Sequence, residues 1–161
     1  MSARFGVAPP DVAATMTGLQ RLQGSLNGTL PWAPIAEGMN FHMVEVEDGR
    51  VVFDGEPGEQ HLNPMGWVHG GWAMTLIDSA CGCAGFSTLP VGINFTTLET
   101  KVSFTRAVNP GGGVLRTTGT VVSRGRSIIT TEAHMTDADG RLVAHGTSTL
   151  MVLAPKVPTA R

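Results

Sequence analysis

Residues 63–85 read NPMGWVHGGWAMTLIDSACGCAG, and two features of this stretch indicate more than a packing helix. From Gly70 onward, apolar and small residues recur at spacings of three and four, which predicts a helix that ends near Phe86. That helix opens with His-Gly-Gly and carries a single carboxylate, Asp78, between apolar neighbours. Because a helix built only for packing needs neither feature, this stretch is the candidate functional centre.

Segments typical of β-strands flank the predicted helix on both sides. Upstream, FHMVEVEDGRVVFDGE has an Asp-Gly pair between two runs of strand formers, which predicts a hairpin. Downstream, turn sequences separate four runs at about 95–106, 113–123, 126–137 and 141–153. In the first run, the alternation puts Thr97 on one face and a second set on the other: Leu98, Thr100, Val102 and Phe104.

The order of these elements predicts an α+β fold, in which a long central helix packs against one curved antiparallel sheet. We expect a single domain over residues 1–161. Helical spacing also predicts an N-terminal helix at about 11–22, and the tail at about 154–161 is expected to be frayed.

Charge and composition exclude several classes of function. The formal net charge is −2 and no basic run occurs, so we expect no nucleic-acid partner. No segment has the length and apolarity of a membrane span or a secretory signal, which predicts no membrane partner and a cytoplasmic location. Cys81 and Cys83 lie two apart in a helix, on different faces, so we expect two reduced thiols. No spacing typical of metal ligands occurs, and no metal site is predicted.

The motif HGGWAMTLIDSACGCA, preceded by HLNPMG and followed by FTTLETKVSFTRAV, resembles the hotdog-fold acyl-CoA thioesterases. The resemblance is closest to the phenylacetate-pathway (PaaI-like) branch and covers about residues 35–153. It rests on Asn63, residues 69–71 and Asp78 at fixed spacings. It implies the hotdog fold, a homodimer joined through sheet edges with active sites at that interface, and two dimers combined into a tetramer. The substrate would be an acyl-CoA, and no cofactor is implied beyond the CoA moiety of that substrate.

Hydrolysis of a thioester puts negative charge on the carbonyl oxygen, and the start of a helix supplies free N–H donors. We therefore expect the Gly70 N–H to polarise the carbonyl, and Gly71 to let the substrate approach the backbone closely. Asp78 would lie further along the same helix, on nearly the same side, so that one carbonyl could face both groups. It would act as general base or as nucleophile, and the sequence leaves this choice open.

Three further residues complete the predicted catalytic set. Asn63 would orient the water or the thioester, or simply form a turn, because Asn-Pro favours turn initiation. His69 would hold the loop or contact the thioester. Thr97 matches a Ser/Thr position that helps to place the water in related enzymes, where it comes from the neighbouring subunit; it could also be an ordinary strand residue.

The substrate-binding residues are predicted from the chemistry of CoA. Its phosphates call for cations, and SRGRS at 123–127 supplies Arg124, Arg126 and Ser127, with Lys101 and Arg106 as weaker candidates. Solvated turn arginines are an equally common explanation of this segment. The predicted acyl pocket, suited to an aromatic or medium-chain group, is lined by Met65, Trp67, Trp72 and Met74.

Two alternatives to a thioesterase stay open at this point. One is a non-catalytic hotdog protein that binds acyl-CoA; it would have no need of Asp78. The other is a hotdog hydratase, which pairs an Asp with a His five residues later, where this chain has Cys83. A second thioesterase branch has Glu at the acid position and Thr one turn later, where this chain has Gly82.

Overall fold

A computed structural model describes residues 4–153, apart from the side chain of Ala13. Three short helices, α1 (Pro10–Ala13), α2 (Gly18–Leu26) and α3 (Pro34–Gly38), precede the hairpin of β1 (Phe41–Glu47) and β2 (Arg50–Gly55). A 3-10 turn at Glu59–His61 leads to the central helix α4 (Gly70–Ser87). Four strands follow: β3 (Asn94–Phe104), β4 (Leu115–Arg124), β5 (Ile128–Thr136) and β6 (Leu142–Leu153).

The six strands form one antiparallel sheet in the order β1-β2-β4-β5-β6-β3. Helix α4 contacts all six strands, which requires the sheet to curve around it. Leu76, Ile77 and Ala80 of α4 are fully buried. A Cβ at Gly119 of β4 would lie only 2.3 Å from the Ala80 carbonyl oxygen, so glycine is what lets helix and sheet approach this closely. The predicted α+β fold, with its curved sheet around a long helix, is confirmed.

The N-terminal helix predicted at 11–22 is wrong in its extent. Two helices, α1 and α2, occupy this region, with a turn between them. Thr17 starts α2 with a capping box, in which its hydroxyl accepts from the Gln20 N–H at 3.2 Å and the Gln20 side chain accepts from the Thr17 N–H at 2.9 Å. This local cap competes with helix continuation, and the helical spacing alone did not reveal it. The tail predicted to be frayed at 154–161 lies outside the described residues.

A β-bulge at Leu98 corrects the predicted faces of β3. Thr97 pairs with Leu150 and Glu99 with Thr149, so Leu98 has no opposing residue. Leu98 is 53% exposed, whereas Thr97 is half-buried on the side of α4. The extra residue shifts the alternation by one, which brings Thr97 onto the same face as Thr100. The prediction that Leu98 shares a face with Thr100 is therefore wrong.

Helix α4 runs antiparallel to β3, which is an edge strand of the sheet. At the helix start, a Cβ on Gly70 would lie 3.2 Å from the Phe104 ring, and further along, a Cβ on Gly82 would lie 3.3 Å from the Phe95 ring. Asp78, between them, bonds to Thr100. Within residues 4–153, no helix has the length and apolar character needed to cross a bilayer.

Candidate active site

His69 caps the start of α4 and fixes the geometry of its first turn. Its φ and ψ of −65° and 134° are those of extended backbone, and its ring Nδ1 accepts the Gly71 N–H at 2.8 Å. In the neutral ring, the proton is then on Nε2. A Cβ at residue 71 would lie 2.9 Å from Nδ1, so Gly71 makes room for the capping ring. His69 thus has a structural role in this chain, while its side chain remains exposed.

The Gly70 N–H, in the first turn of α4, has no acceptor among the described residues. The Gly71 N–H donates to the His69 ring, and the Trp72 N–H donates to the His69 carbonyl at 2.9 Å. No such bond involves the Gly70 N–H. At this position the free N–H coincides with the positive end of the helix dipole, and the two together favour a negatively charged oxygen.

Gly70, whose amide is free, lines a cavity of about 440 Å³. This cavity brings together five of the predicted site residues: Asn63, Met65, Trp67, His69 and Gly70. Its other side is formed by the end of β3 and the segment that follows it, including Phe104 and Arg106. Trp67 and Met65 are 44% and 78% exposed, so apolar surface is available there.

Asn63 forms the turn that carries these apolar residues. Its side-chain oxygen accepts from the Met65 N–H at 2.9 Å and from the Trp67 N–H at 3.2 Å. The side-chain NH₂ of Asn63 has no acceptor among the described residues, and the residue lines the cavity. The turn role and a substrate contact are therefore compatible.

Two of the predicted acyl-pocket residues do not line this cavity. Trp72 is only 2% exposed, and its indole N–H donates to the Met39 carbonyl at 2.7 Å. It packs in the core, which leaves no surface for a substrate. Met74 is 41% exposed and lies one turn before Asp78 on the outer side of α4.

Asp78 is half-buried between α4 and the sheet, and a hydroxyl group holds its carboxylate. Thr100 donates its hydroxyl to Asp78 Oδ1 at 2.7 Å, and Ser148 Oγ lies 3.0 Å from Thr100 Oγ1. The strand alternation put Thr100 on one face of β3 but did not link it to Asp78. Ser148 carries no signal in the sequence, because its position next to Thr100 depends on the pairing of β3 with β6.

The expectation that Gly70 and Asp78 of one chain face a single carbonyl is wrong on helix geometry. Eight residues of α-helix correspond to a rise of about 12 Å and a net rotation of about 80°. Phe104 lies beside Gly70 and Thr100 lies beside Asp78. The distance along β3 from Phe104 to Thr100 is about 13 Å at the rise of a β-strand, which agrees with the rise along the helix. One thioester carbonyl is too small to reach both groups within one chain.

Two thiols follow Asp78 on α4, and both are held neutral. Burial, reinforced by the negative charge of Asp78, raises the pKa of Cys81 to about 11 and that of Cys83 to about 12. Neither thiol is therefore an ionised nucleophile near neutral pH. Among the described residues, no cluster of His, Cys, Asp and Glu is arranged to hold a metal ion.

The predicted phosphate-binding segment lines a second cavity, of about 540 Å³. Arg124, Arg126 and Ser127 face it, together with apolar residues that include Leu89 and Ile93. Neither arginine forms an ion pair within the described part of the chain. This cavity lies near the start of β3, at the opposite end of α4 from Gly70. Of the weaker candidates, Arg106 lines the first cavity and Lys101 is exposed.

Comparison with known proteins gives a consistent result. A family model described as "Thioesterase superfamily" matches residues 65–144. A putative esterase of Caenorhabditis elegans is 30% identical over 135 residues, which cover 83% of this chain and 77% of that protein.

Two solved structures have the same fold. A putative thioesterase from Ralstonia eutropha, described as a phenylacetic acid degradation-related protein, has 28% identity and a TM-score of 0.75, covering 81% of this chain and 98% of that one. A Streptococcus mutans protein bound to acetyl-CoA has 30% identity and a TM-score of 0.66, covering 73% of this chain and 92% of that one.

Proposed function

Since the chain belongs to the thioesterase superfamily and has a hotdog fold, we propose that it hydrolyses acyl-CoA thioesters in a site shared by two protomers. The observation that carries the proposal is the Gly70 N–H, which has no acceptor within residues 4–153 and belongs to a residue that lines a cavity with apolar side chains. The acyl group would lie against Trp67 and Met65, whose exposed surface suits an aromatic or medium-chain group. The acetyl-CoA bound to the Streptococcus mutans relative supports a CoA ester as substrate.

The reaction needs no group beyond the chain, water and the substrate. In the first step, Asp78 accepts a proton from water as the water oxygen bonds to the thioester carbon, and the Gly70 N–H stabilises the carbonyl oxygen as it becomes negative. In the second step, the carbonyl re-forms and the C–S bond breaks. The thiolate of CoA then takes the proton from Asp78, which leaves a carboxylic acid, free CoA and the enzyme in its starting state.

The separation of Gly70 and Asp78 supports a shared site. Since about 12 Å of helix separates them in one chain, we propose that the base that works with Gly70 comes from another protomer. Edge strand β3 supports this arrangement, because its outer edge has no partner among the described residues and it exposes Leu98 and Phe104 at 53% and 50%. A long edge strand with exposed apolar residues is a pairing surface unless something covers it.

Twofold symmetry fixes the register that such a pair of β3 strands needs. Phe104 marks the level of Gly70 along β3, and Thr100 marks the level of Asp78. Antiparallel β3 strands centred on Val102 would put residue 104 of one protomer opposite residue 100 of the other. The partner's Asp78 would then stand level with the free N–H of Gly70. We propose this homodimer, with two dimers joined into a tetramer as a further step.

The remaining predicted residues take roles around this centre. The cavity lined by Arg124 and Arg126 lies about 20 Å from Asp78 along β3. The pantetheine arm of CoA would span this distance and bring the CoA phosphates to the two arginines. The free NH₂ of Asn63 would donate to the thioester or the water. Thr97, on the inner face of β3, would help to place the water. We place the reaction in the cytoplasm, where both thiols stay reduced.

The decisive experiment compares wild type, Asp78→Asn and Asp11→Asn on a panel of acyl-CoAs, with detection of the released thiol. Asp78→Asn keeps the shape of the side chain but removes the base, so kcat should fall about 10²- to 10⁴-fold. Asp11 is exposed on α1 and makes the same chemical change far from the site, so its variant should match wild type. Equal turnover by Asp78→Asn and wild type would overturn the proposal. Binding of acyl-CoA without turnover by wild type would instead identify a non-catalytic binding protein.

A further inference from the structure

The cavity that Gly70 lines contains a cation without a counter-ion. Among the described residues that line it, Arg106 is the only one whose side chain is permanently charged. Its guanidinium belongs to no ion pair within residues 4–153. The ring of His69, also in the wall, accepts the Gly71 N–H on Nδ1 and is neutral in this arrangement. A ligand that enters this cavity therefore meets a single full positive charge.

Hydrogen bonds hold the backbone of Arg106 in place. The N–H groups of Thr105 and Arg106 both donate to the Val143 carbonyl, at 2.8 and 3.2 Å, which ties this segment to β6. Further along, the Val108 carbonyl accepts the Val68 N–H at 3.2 Å, which joins the segment to the chain that leads into α4. Arg106 thus belongs to a wall whose backbone is fixed on both sides of the cavity.

A third cavity, of about 570 Å³, adjoins the first and shares Trp67 and Arg106 with it. Asp137 and Asp139 line this third cavity but not the first, and Arg141 pairs with each of them at 2.8 Å. These carboxylates already have a cationic partner, whereas Arg106, at the junction of the two cavities, has no anionic one. The charge of Arg106 is therefore available to a ligand.

The position of Arg106 favours a contact with the acyl group over a contact with the CoA phosphates. Phe104 marks the level of Gly70 along β3, and Arg106 follows two residues later, at most about 7 Å away at strand rise. The pantetheine arm would instead carry the phosphates about 20 Å along β3. A cation this close to the thioester carbonyl suits a group on the acyl side.

We propose that Arg106 selects acyl-CoAs whose acyl group ends in a carboxylate. The proposal rests on the function proposed above and names the substrate class of that site. The methylene chain would lie against Trp67, and the terminal carboxylate would accept two parallel N–H bonds from the guanidinium. The thioester carbonyl would stay at the Gly70 N–H. A chain that ends in a methyl group would displace water from the guanidinium and give it no acceptor in return, which disfavours such a substrate.

The test compares pairs of substrates of equal chain length: hexanoyl-CoA with adipyl-CoA, octanoyl-CoA with suberyl-CoA, and decanoyl-CoA with sebacyl-CoA. In at least one pair, wild type should prefer the carboxylate substrate. For that substrate, Arg106→Gln should lower kcat/KM about tenfold, because a hydrogen bond to a charged group is lost. Its kcat/KM for the uncharged substrate should not fall, which also shows that the variant is folded. Arg106→Lys should keep part of the preference, since it retains the charge but not the planar fork.

Arg50→Gln is the matched control. Arg50 is on β2, lines neither of the two cavities and pairs with Glu45 at 2.8 Å. Its variant makes the same chemical change and should match wild type on every substrate. If Arg106→Gln lost kcat/KM equally for both members of every pair, Arg106 would act on CoA or on the reaction. If it lost kcat/KM for neither member, Arg106 would have no part in binding. Each of these results would overturn the inference.

The failure of this inference can be told apart from the failure of the proposed function. If wild type hydrolyses these esters and Arg106→Gln does not change the preference within any pair, the protein is a thioesterase without this specificity. If wild type hydrolyses none of the esters, the proposed function is wrong and the inference fails with it.

Discussion

Replacing Gly70 by proline should remove the proposed oxyanion donor while leaving the helix in place. Gly70 is the first residue of α4, the position where proline is best tolerated because its missing N–H has no helical partner. Proline also restricts the preceding residue to extended backbone, and His69 already has a ψ of 134°. Both requirements of the proline ring are therefore met before the substitution is made.

The size of the effect can be worked out from the surroundings of Gly70. One donor of an oxyanion hole is worth about 10²- to 10³-fold in kcat, or about 2.7–4 kcal/mol. The new Cβ would lie 3.2 Å from the ring of Phe104, which is half-exposed and can shift by a few tenths of an ångström. The lower entropy of the unfolded chain offsets this adjustment by about 0.4–1 kcal/mol. We expect a large loss of kcat with little change in stability.

Gly70→Ala is the matched control, because it adds the same Cβ and keeps the N–H. Both variants would be assayed by thiol release under single-turnover conditions, with stability measured by urea denaturation. Gly70→Ala should retain most of the activity and Gly70→Pro should lose it. Two variants with equal kcat, close to wild type, would refute the assignment of the Gly70 amide.

The same variant tests whether the site is shared between protomers. In a mixed dimer of one Gly70→Pro chain and one Asp78→Asn chain, one active site contains both substitutions and the other contains neither. After random exchange of protomers, two inactive preparations should regain about a quarter of wild-type activity. No recovery, with exchange of protomers demonstrated by labelled chains, would contradict the shared site.

Two further predictions concern the second cavity and the buried thiol. Removing both Arg124 and Arg126 should raise KM for a CoA ester about tenfold and leave KM for the corresponding pantetheine ester unchanged. A matched Arg141→Ala variant should change neither KM. If KM changed equally for both esters, the arginines would not belong to the site. Burial and the charge of Asp78 raise the pKa of Cys81 from 9.0 to about 11. As the pH rises, the Cys81 thiol therefore loses its proton in the unfolded chain before it does so in the folded chain. The free energy of unfolding should therefore fall as pH rises from about 9 to about 11, and urea denaturation of Cys81→Ala should show a smaller fall; equal slopes would contradict it.

Features encoded within a few residues were predictable from the sequence. The Asp48–Gly49 turn joins β1 and β2 as expected, with Gly49 at a φ of 77° that glycine tolerates readily. The start of α4 at Gly70 follows from the local pattern, as do the four strands of the second half. Where a competing local signal was overlooked, as at the Thr17 cap, the prediction was wrong.

The sequence by itself determined the elements, the central helix and the positions of Gly70 and Asp78 along it, because these depend on backbone preferences and on the spacing of apolar residues. Only the tertiary structure decided what surrounds Asp78. Thr100 is 22 residues from Asp78 in the chain, and Ser148 is 48 residues from Thr100, yet the three side chains meet because the sheet places β3 beside β6 and against α4. A bulge of one residue then sets which hydroxyls of β3 face the helix, and no pattern read along the strand contains that shift.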